Sequence, residues 1–250
     1  MRKIFLYSVL AFGVVSCKKE TTSTNSPTTI KTEINFKSIG NPVGVFGQGV
    51  TDIEGTRYKT VLINKQEWMA ENLKVSKYND GTSIQFDTSN WSNKTTGLYS
   101  YYNNDKSMND TYGKLYNWYV IDNKNNGGKN ICPSGWHVPN DNEWNTLVEY
   151  LGGSIIAGGK LKEIDTLHWK SPNLNATNTS LFTALPGGYK NTNNTFEGLR
   201  ISANFWYSDF PALPPFNTSP NSCLLLNNSV AFDKKPDYPF YGFSIRCIKD

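Results

Sequence analysis

Histidine is nearly missing from this 250-residue chain, which holds only His137 and His168. Two imidazoles are too few for a typical zinc cluster, and neither flanks a nucleophile motif of the Ser-His-Asp or Cys-His type. No catalytic residue, metal or cofactor is therefore expected. Charge is scarce as well: 18% of the residues are charged and the formal net charge is +4, which falls to +2 once residues 1–16, carrying Arg2 and Lys3, are set aside. So small an excess builds no basic face, which excludes nucleic acid as a partner. The apolar run at 4–15 is about twelve residues long, whereas a helix needs roughly twenty to cross a bilayer.

That short run has another meaning. Arg2 and Lys3 precede it and Ser16 and Cys17 follow it, which is the grammar of an export signal. Val14-Val15-Ser16-Cys17 resembles the bacterial lipobox, in which cleavage leaves a lipidated cysteine as the first residue. Cys17 is the expected lipidation site and the lipid bilayer its partner, since several acyl chains together anchor a soluble domain. Lys18 after the cysteine favours the outer membrane, with a periplasmic or surface-facing domain.

Hydrophobic residues make up 38% of the chain and aromatic ones 14%, so the core is expected to be aromatic more than aliphatic. Three segments are expected: a signal peptide at 1–16, a lipidated cysteine and tether at 17–48, and a domain at 49–250. The stretch 18–37 is rich in Thr, Ser, Asn, Lys and Glu and cannot bury enough apolar surface to fold.

Within the domain, 57–63 alternates in β-branched residues, Asn64-Lys65 supplies a turn, and 66–73 returns as the second strand of a hairpin. Residues 99–102 read as a short aromatic strand. Tyr112, Leu115, Trp118 and Tyr119 fall at helical spacing, which predicts a helix ending near Asp122. The clearest helix is 141–151, where Trp144, Leu147, Val148 and Leu151 share one face. Asn140 and Glu143 form its capping box and Gly152-Gly153 its stop. Short strands are expected at 182–185, 204–208, 222–226, 229–232 and 243–248, with a hairpin turn at Asn227-Asn228. Two short helices with small antiparallel sheets and long loops make an α+β domain.

Six ordered blocks then identify a family: Asp52-Ile53-Glu54-Gly55, Trp68-Met69-Ala70-Glu71-Asn72-Leu73, Tyr112-Gly113-Lys114-Leu115-Tyr116-Asn117-Trp118, the run CPSGWHVPND at 132–141, Phe182-Thr183-Ala184-Leu185-Pro186-Gly187-Gly188-Tyr189, and Gly242-Phe243-Ser244-Ile245-Arg246-Cys247. They resemble the Fibrobacter succinogenes major paralogous domain family over 49–250. The resemblance implies a C-type lectin-like fold in lipoproteins and secreted proteins of Bacteroidetes and Fibrobacteres. In such folds a cysteine near the first helices bonds one in the last strand, which implies a Cys132–Cys247 disulfide. With Cys17 lipidated, Cys223 is left as a small core residue.

The family blocks also look like the sulfatase-modifying branch of that fold, whose oxidases hold copper on two nearby cysteines. Cys223 and Cys247 differ in spacing from that pair, so this activity is expected to be absent. Lectin calcium triplets (Glu-Pro-Asn, Gln-Pro-Asp, Trp-Asn-Asp) do not occur here, and His137 reads as a structural hydrogen-bonding residue. Trp91, Tyr99, Tyr101, Tyr102, Trp206 and Tyr207 are candidates for stacking on sugar rings, with burial in the core as the competing expectation. The expected function is noncatalytic: a lectin-like domain that binds polysaccharide or an envelope protein through loops between 154 and 239. A structural or adhesive surface protein is the alternative, and a hydrolase would require a carboxylate pair converging in a pocket.

Overall fold

The hairpin forms where its turn chemistry placed it. In the computed structural model, which describes residues 42–208 and 219–250, Thr60–Ile63 pairs antiparallel with Gln66–Met69. Asn64 turns the chain with φ at 56°, a left-handed conformation that asparagine tolerates. Gly44–Phe46 adds an edge strand to this hairpin, so pairing starts ahead of Gly49. Gly44 is needed there, because a Cβ would stand 2.0 Å from the Ser180 carbonyl oxygen. On the other side the last strand, Ile248–Lys249, lies between the hairpin and Trp136–His137, completing five antiparallel strands. The signal, Cys17 and most of the tether lie outside the described residues.

The helix Asp141–Tyr150 matches its signals: Asn140 Oδ1 accepts from Glu143 N–H at 3.0 Å and Glu143 Oε2 accepts from Asn140 N–H at 2.8 Å. Gly152 and Gly153 stop it with φ of 99° and 92°. The second expected helix does not form. Met108–Tyr112 is a single helical turn that ends at Gly113, with φ 73°, then Leu115–Tyr116 runs as a strand and Trp118–Val120 as a 3-10 turn. Tyr112, Leu115 and Trp118 are buried and Tyr119 half-buried, but the intervening Lys114, Tyr116 and Asn117 are buried too, so the spacing marked burial on every side and not one helical face. Conversely, Ser154–Leu161 is a helix that its two glycines had disguised as loop. A Cβ on Gly158 would meet the Ala231 carbonyl oxygen at 2.1 Å, so glycine here serves close packing.

Ser202–Tyr207, Asn221–Leu226 and Asp233–Pro236 form a three-stranded antiparallel sheet. The expected strands at 182–185 and 229–232 are irregular instead. Leu181 and Thr183 take φ of 58° and 55°, which breaks any ladder. Asn227 does not close a tight hairpin; its side-chain amide donates to the Lys170 and Ser171 carbonyls at 3.2 and 3.1 Å. Residues 243–248 pair as a strand only at Ile248–Lys249, with isolated bridges at Phe243 and Ser244. The architecture is α+β, with few helices and several small antiparallel sheets.

Two aromatic-rich cores fill the unit, one around Tyr116, Trp118 and Trp206, the other around Trp68, Trp144 and Phe182. Arg246, 1% exposed, runs along the second: its guanidinium carbon stands 4.2 Å from the Phe182 ring. Its Nε donates to Asn72 Oδ1 at 2.9 Å, Nη2 to the Thr183 carbonyl at 2.8 Å, and Nη1 to the Phe182 carbonyl. The next residue, Cys247, is bonded to Cys132 across 115 positions, while Cys223 is a buried free thiol. Iodoacetamide is expected to leave Cys132, Cys223 and Cys247 unlabelled in the native protein and to label Cys223 alone in urea without reductant. Labelling of Cys132 or Cys247 before reduction contradicts the pairing. The Cys132→Ala/Cys247→Ala variant should lose about 2–4 kcal/mol in urea denaturation.

Candidate functional site: an aromatic groove over the three-stranded sheet

Successive strand residues point to opposite faces of a sheet. Ala203, Phe205, Tyr207, Cys223 and Leu225 enter the second core. The alternate positions Ser202, Asn204, Leu224 and Leu226 floor a groove of about 360 Å³ on the opposite face. That is within the range of small-ligand sites.

Its walls come from two segments. Tyr189 lies on the hairpin Gly187–Lys190/Phe196–Leu199, directly opposite Glu197, and its hydroxyl donates to Glu197 Oε2 at 2.8 Å. Glu197 Oε1 accepts from Asn191 Nδ2 and, at 3.1 Å, from Thr195 Oγ1. Gly188 permits this pairing: its φ is 64°, and a Cβ would sit 2.3 Å from the Glu197 carbonyl oxygen. From the other segment, Tyr241 stacks on Phe243 at 5.5 Å and 18°, and stands edge-on to Tyr189 at 5.8 Å and 87°.

Asp237 closes the polar side. It is 8% exposed, accepts from Ser222 Oγ, and pairs with Lys235 Nζ at 2.9 Å. Burial, reinforced by the Glu197 hydrogen bond and charge, pushes the Tyr189 phenol up to about 12. Burial and the Asp237 charge raise Tyr241. Both hydroxyls therefore stay protonated near neutral pH. A larger hollow, about 570 Å³, has one exposed ring, Phe46, and one carboxylate, Glu71, beside Arg57 and Lys59, against two tyrosines and two carboxylates in the groove.

The six aromatic residues read as stacking candidates are not in the groove. Trp91 and Trp206 are 0% exposed, and Tyr99, Tyr101, Tyr102 and Tyr207 are 9% or less, so none offers a ring face to a sugar. The Trp206 indole donates to the Tyr116 carbonyl at 2.7 Å, and Trp91 lies 3.9 Å under the Lys190 ammonium. Tyr102 packs on Phe196, and Tyr99 and Tyr101 pack on each other. Lys234 lies over the Tyr207 ring at 5.4 Å. The half-buried rings that do line the groove are Tyr189 and Tyr241. Tyr189 ended one of the family blocks, but no signal in the sequence separated its exposure from that of its neighbours.

His137 holds two carboxylates: Nδ1 meets Asp250 Oδ1 at 2.6 Å and Nε2 meets Glu143 Oε1 at 2.8 Å. Burial lowers its pKa, but these two bonds and charges outweigh that and raise it. Among the described residues no three His, Cys, Asp or Glu side chains gather as a metal cluster.

Few helices, several small antiparallel sheets, a long-range disulfide and a loop-walled groove define an α+β domain with one face given to an aromatic cleft. The chain belongs to the Fibrobacter succinogenes major domain family, whose model matches residues 61–249 and so spans groove and disulfide alike. No curated protein and no solved structure matches it.

All seven tryptophans are buried. Native emission is therefore expected to be blue-shifted and resistant to iodide quenching. An occupant of the groove should alter the tyrosine difference spectrum while leaving the indole signal in place. Strong iodide quenching of the native protein contradicts the burial.

Proposed function

We propose that the protein is a noncatalytic, lipid-anchored component of the cell envelope whose lectin-like domain binds polysaccharide in the Tyr189–Tyr241 groove. The observation that carries this reading is the meeting of two half-buried tyrosine rings with carboxylate and ammonium groups in one cleft. A sugar ring has apolar faces that stack and hydroxyls that need donors and acceptors at its edge. Most of the groove's lining falls between 154 and 239, the stretch that the sequence favoured, while Tyr241 and Phe243 lie just beyond it. The lectin-like assignment draws support from the cysteine ahead of the long helix being bonded to one beside the last strand. The lipobox ending in Cys17 supports the anchor and, with Lys18, an outer-membrane address.

One observation favours a second reading. Glu197 and Asp237 line the same groove, and a carboxylate pair is what glycoside hydrolysis requires. Both carboxylates are already held by intramolecular donors, which suits binding more than proton transfer.

A glycan array with the full chain is expected to give saturable signals that Tyr241→Ala weakens about five- to tenfold, the loss of one stacking face. A blank array, or signals indifferent to Tyr241→Ala, contradicts the groove assignment. Release of reducing ends from a bound glycan, lost in Glu197→Gln, would establish the hydrolase instead. Metabolic labelling with palmitate should mark the wild type and not Cys17→Ala.

A further inference from the structure

We propose that the groove selects a sugar unit bearing a protonated amine, seated against the Glu197 carboxylate with Tyr189 and Tyr241 as its walls. This inference rests on the reading of the groove as a glycan site. The two carboxylates in the cleft differ in one respect. Asp237 has a cationic partner, Lys235, at 2.9 Å. Among the described residues, Glu197 is held only by neutral donors, the hydroxyls of Tyr189 and Thr195 and the amide of Asn191. Those three bonds fix the carboxylate in place without cancelling its charge. A ligand cation arriving there meets a preoriented counter-ion.

The rings add to the attraction. An ammonium within about 6 Å of an aromatic face is drawn to its negative quadrupole. Tyr189, bonded to Glu197 through its hydroxyl, and Tyr241, nearly perpendicular to it, are the rings beside this carboxylate. The cleft's own ammonium, Lys235 Nζ, lies 5.9 Å from the Phe243 ring, and Asp237 at 2.9 Å offsets its charge toward an arriving cation. The floor gives room for a ring: Asn204 Nδ2 donates to Ser202 Oγ at 2.9 Å beneath a groove of about 360 Å³, which an amino sugar fills more fully than the end of a lysine side chain does. An acidic sugar would face Glu197 with like charge. Glu197 is exposed, so the preference is modest and screened by salt.

The test is calorimetric titration of the full chain with a glucosamine oligomer and with its N-acetylated counterpart, which has the same ring and linkage but no charge. The glucosamine oligomer is expected to bind roughly five- to tenfold more tightly at low salt. The preference should vanish at about 1 M salt, where the Debye length is roughly 3 Å. Glu197→Gln should bring the affinity for the charged oligomer down to that for the neutral one. Equal or tighter binding of the N-acetylated oligomer to the wild type, or a preference that survives Glu197→Gln, overturns the amine selectivity while leaving the groove as a glycan site. Binding of neither oligomer overturns both. Tight, Glu197-dependent binding of a lysine-rich peptide with no response to glucosamine overturns the sugar and assigns the cleft to a protein ligand.

Discussion

A guanidinium sealed from water holds this fold together. Arg246 is fully inside, and burial, opposed by the Glu71 charge, draws its pKa down to about 9, so it stays charged near neutrality while carbonyl and amide oxygens take up its N–H groups. Those oxygens belong to segments far apart in sequence: Asn72 after the first hairpin, and Phe182 and Thr183 in the irregular stretch before the Gly187–Lys190 strand. Asn72 in turn donates to the Tyr112 carbonyl at 2.8 Å and to Ser244 Oγ at 3.2 Å. With left-handed turns at 181 and 183, the Phe182 and Thr183 carbonyls face one cation in place of a strand ladder. Removing that cation would orphan several buried acceptors together, each costing about 1–3 kcal/mol.

The same solution recurs. Lys162 donates to the carbonyls of Leu174, Leu226 and Ser229 at 3.1, 2.9 and 2.7 Å, and Lys190 to that of Ser89 at 2.8 Å while lying over Trp91. Burial lowers both to about 8. Loops that lack ladders leave carbonyls inside, and a long cationic side chain satisfies several at once. Rings supply the remaining counter-charge through their faces. An aromatic core and buried cations are therefore two halves of one packing strategy in a chain with little regular structure.

This strategy decides what the sequence could disclose. Asn64-Lys65 and the Asn140/Glu143 box act locally, through turn and cap chemistry, and both the hairpin and the helix at 141–150 were legible. The Cys132–Cys247 bond followed from family resemblance. The spacing of Tyr112, Leu115 and Trp118 misled because a fully buried segment has no polar face to fix its period. The glycines at 158 and 159 misled because the chain they press against is distant in sequence. For the groove, Leu224 and Leu226 lie on one face of their strand and Cys223 and Leu225 on the other. Both faces are apolar, so alternation could not say which one opens to the cleft. The exposure of Tyr189 and Tyr241, against the burial of Trp91 and Trp206, is likewise set by tertiary packing.

The family blocks read from the sequence thus converge on Arg246 and the adjoining disulfide, and the residues that line the groove are attached to that frame. Amide hydrogen exchange of Arg246→Lys, measured against the wild type, tests this most directly, because lysine keeps the charge but loses the planar fork. The account predicts that protection falls together at Leu73 and Ala184, flanking the oxygens that Arg246 holds, as well as around position 246. Loss confined to residues near 246, with those two segments as protected as in the wild type, would contradict it.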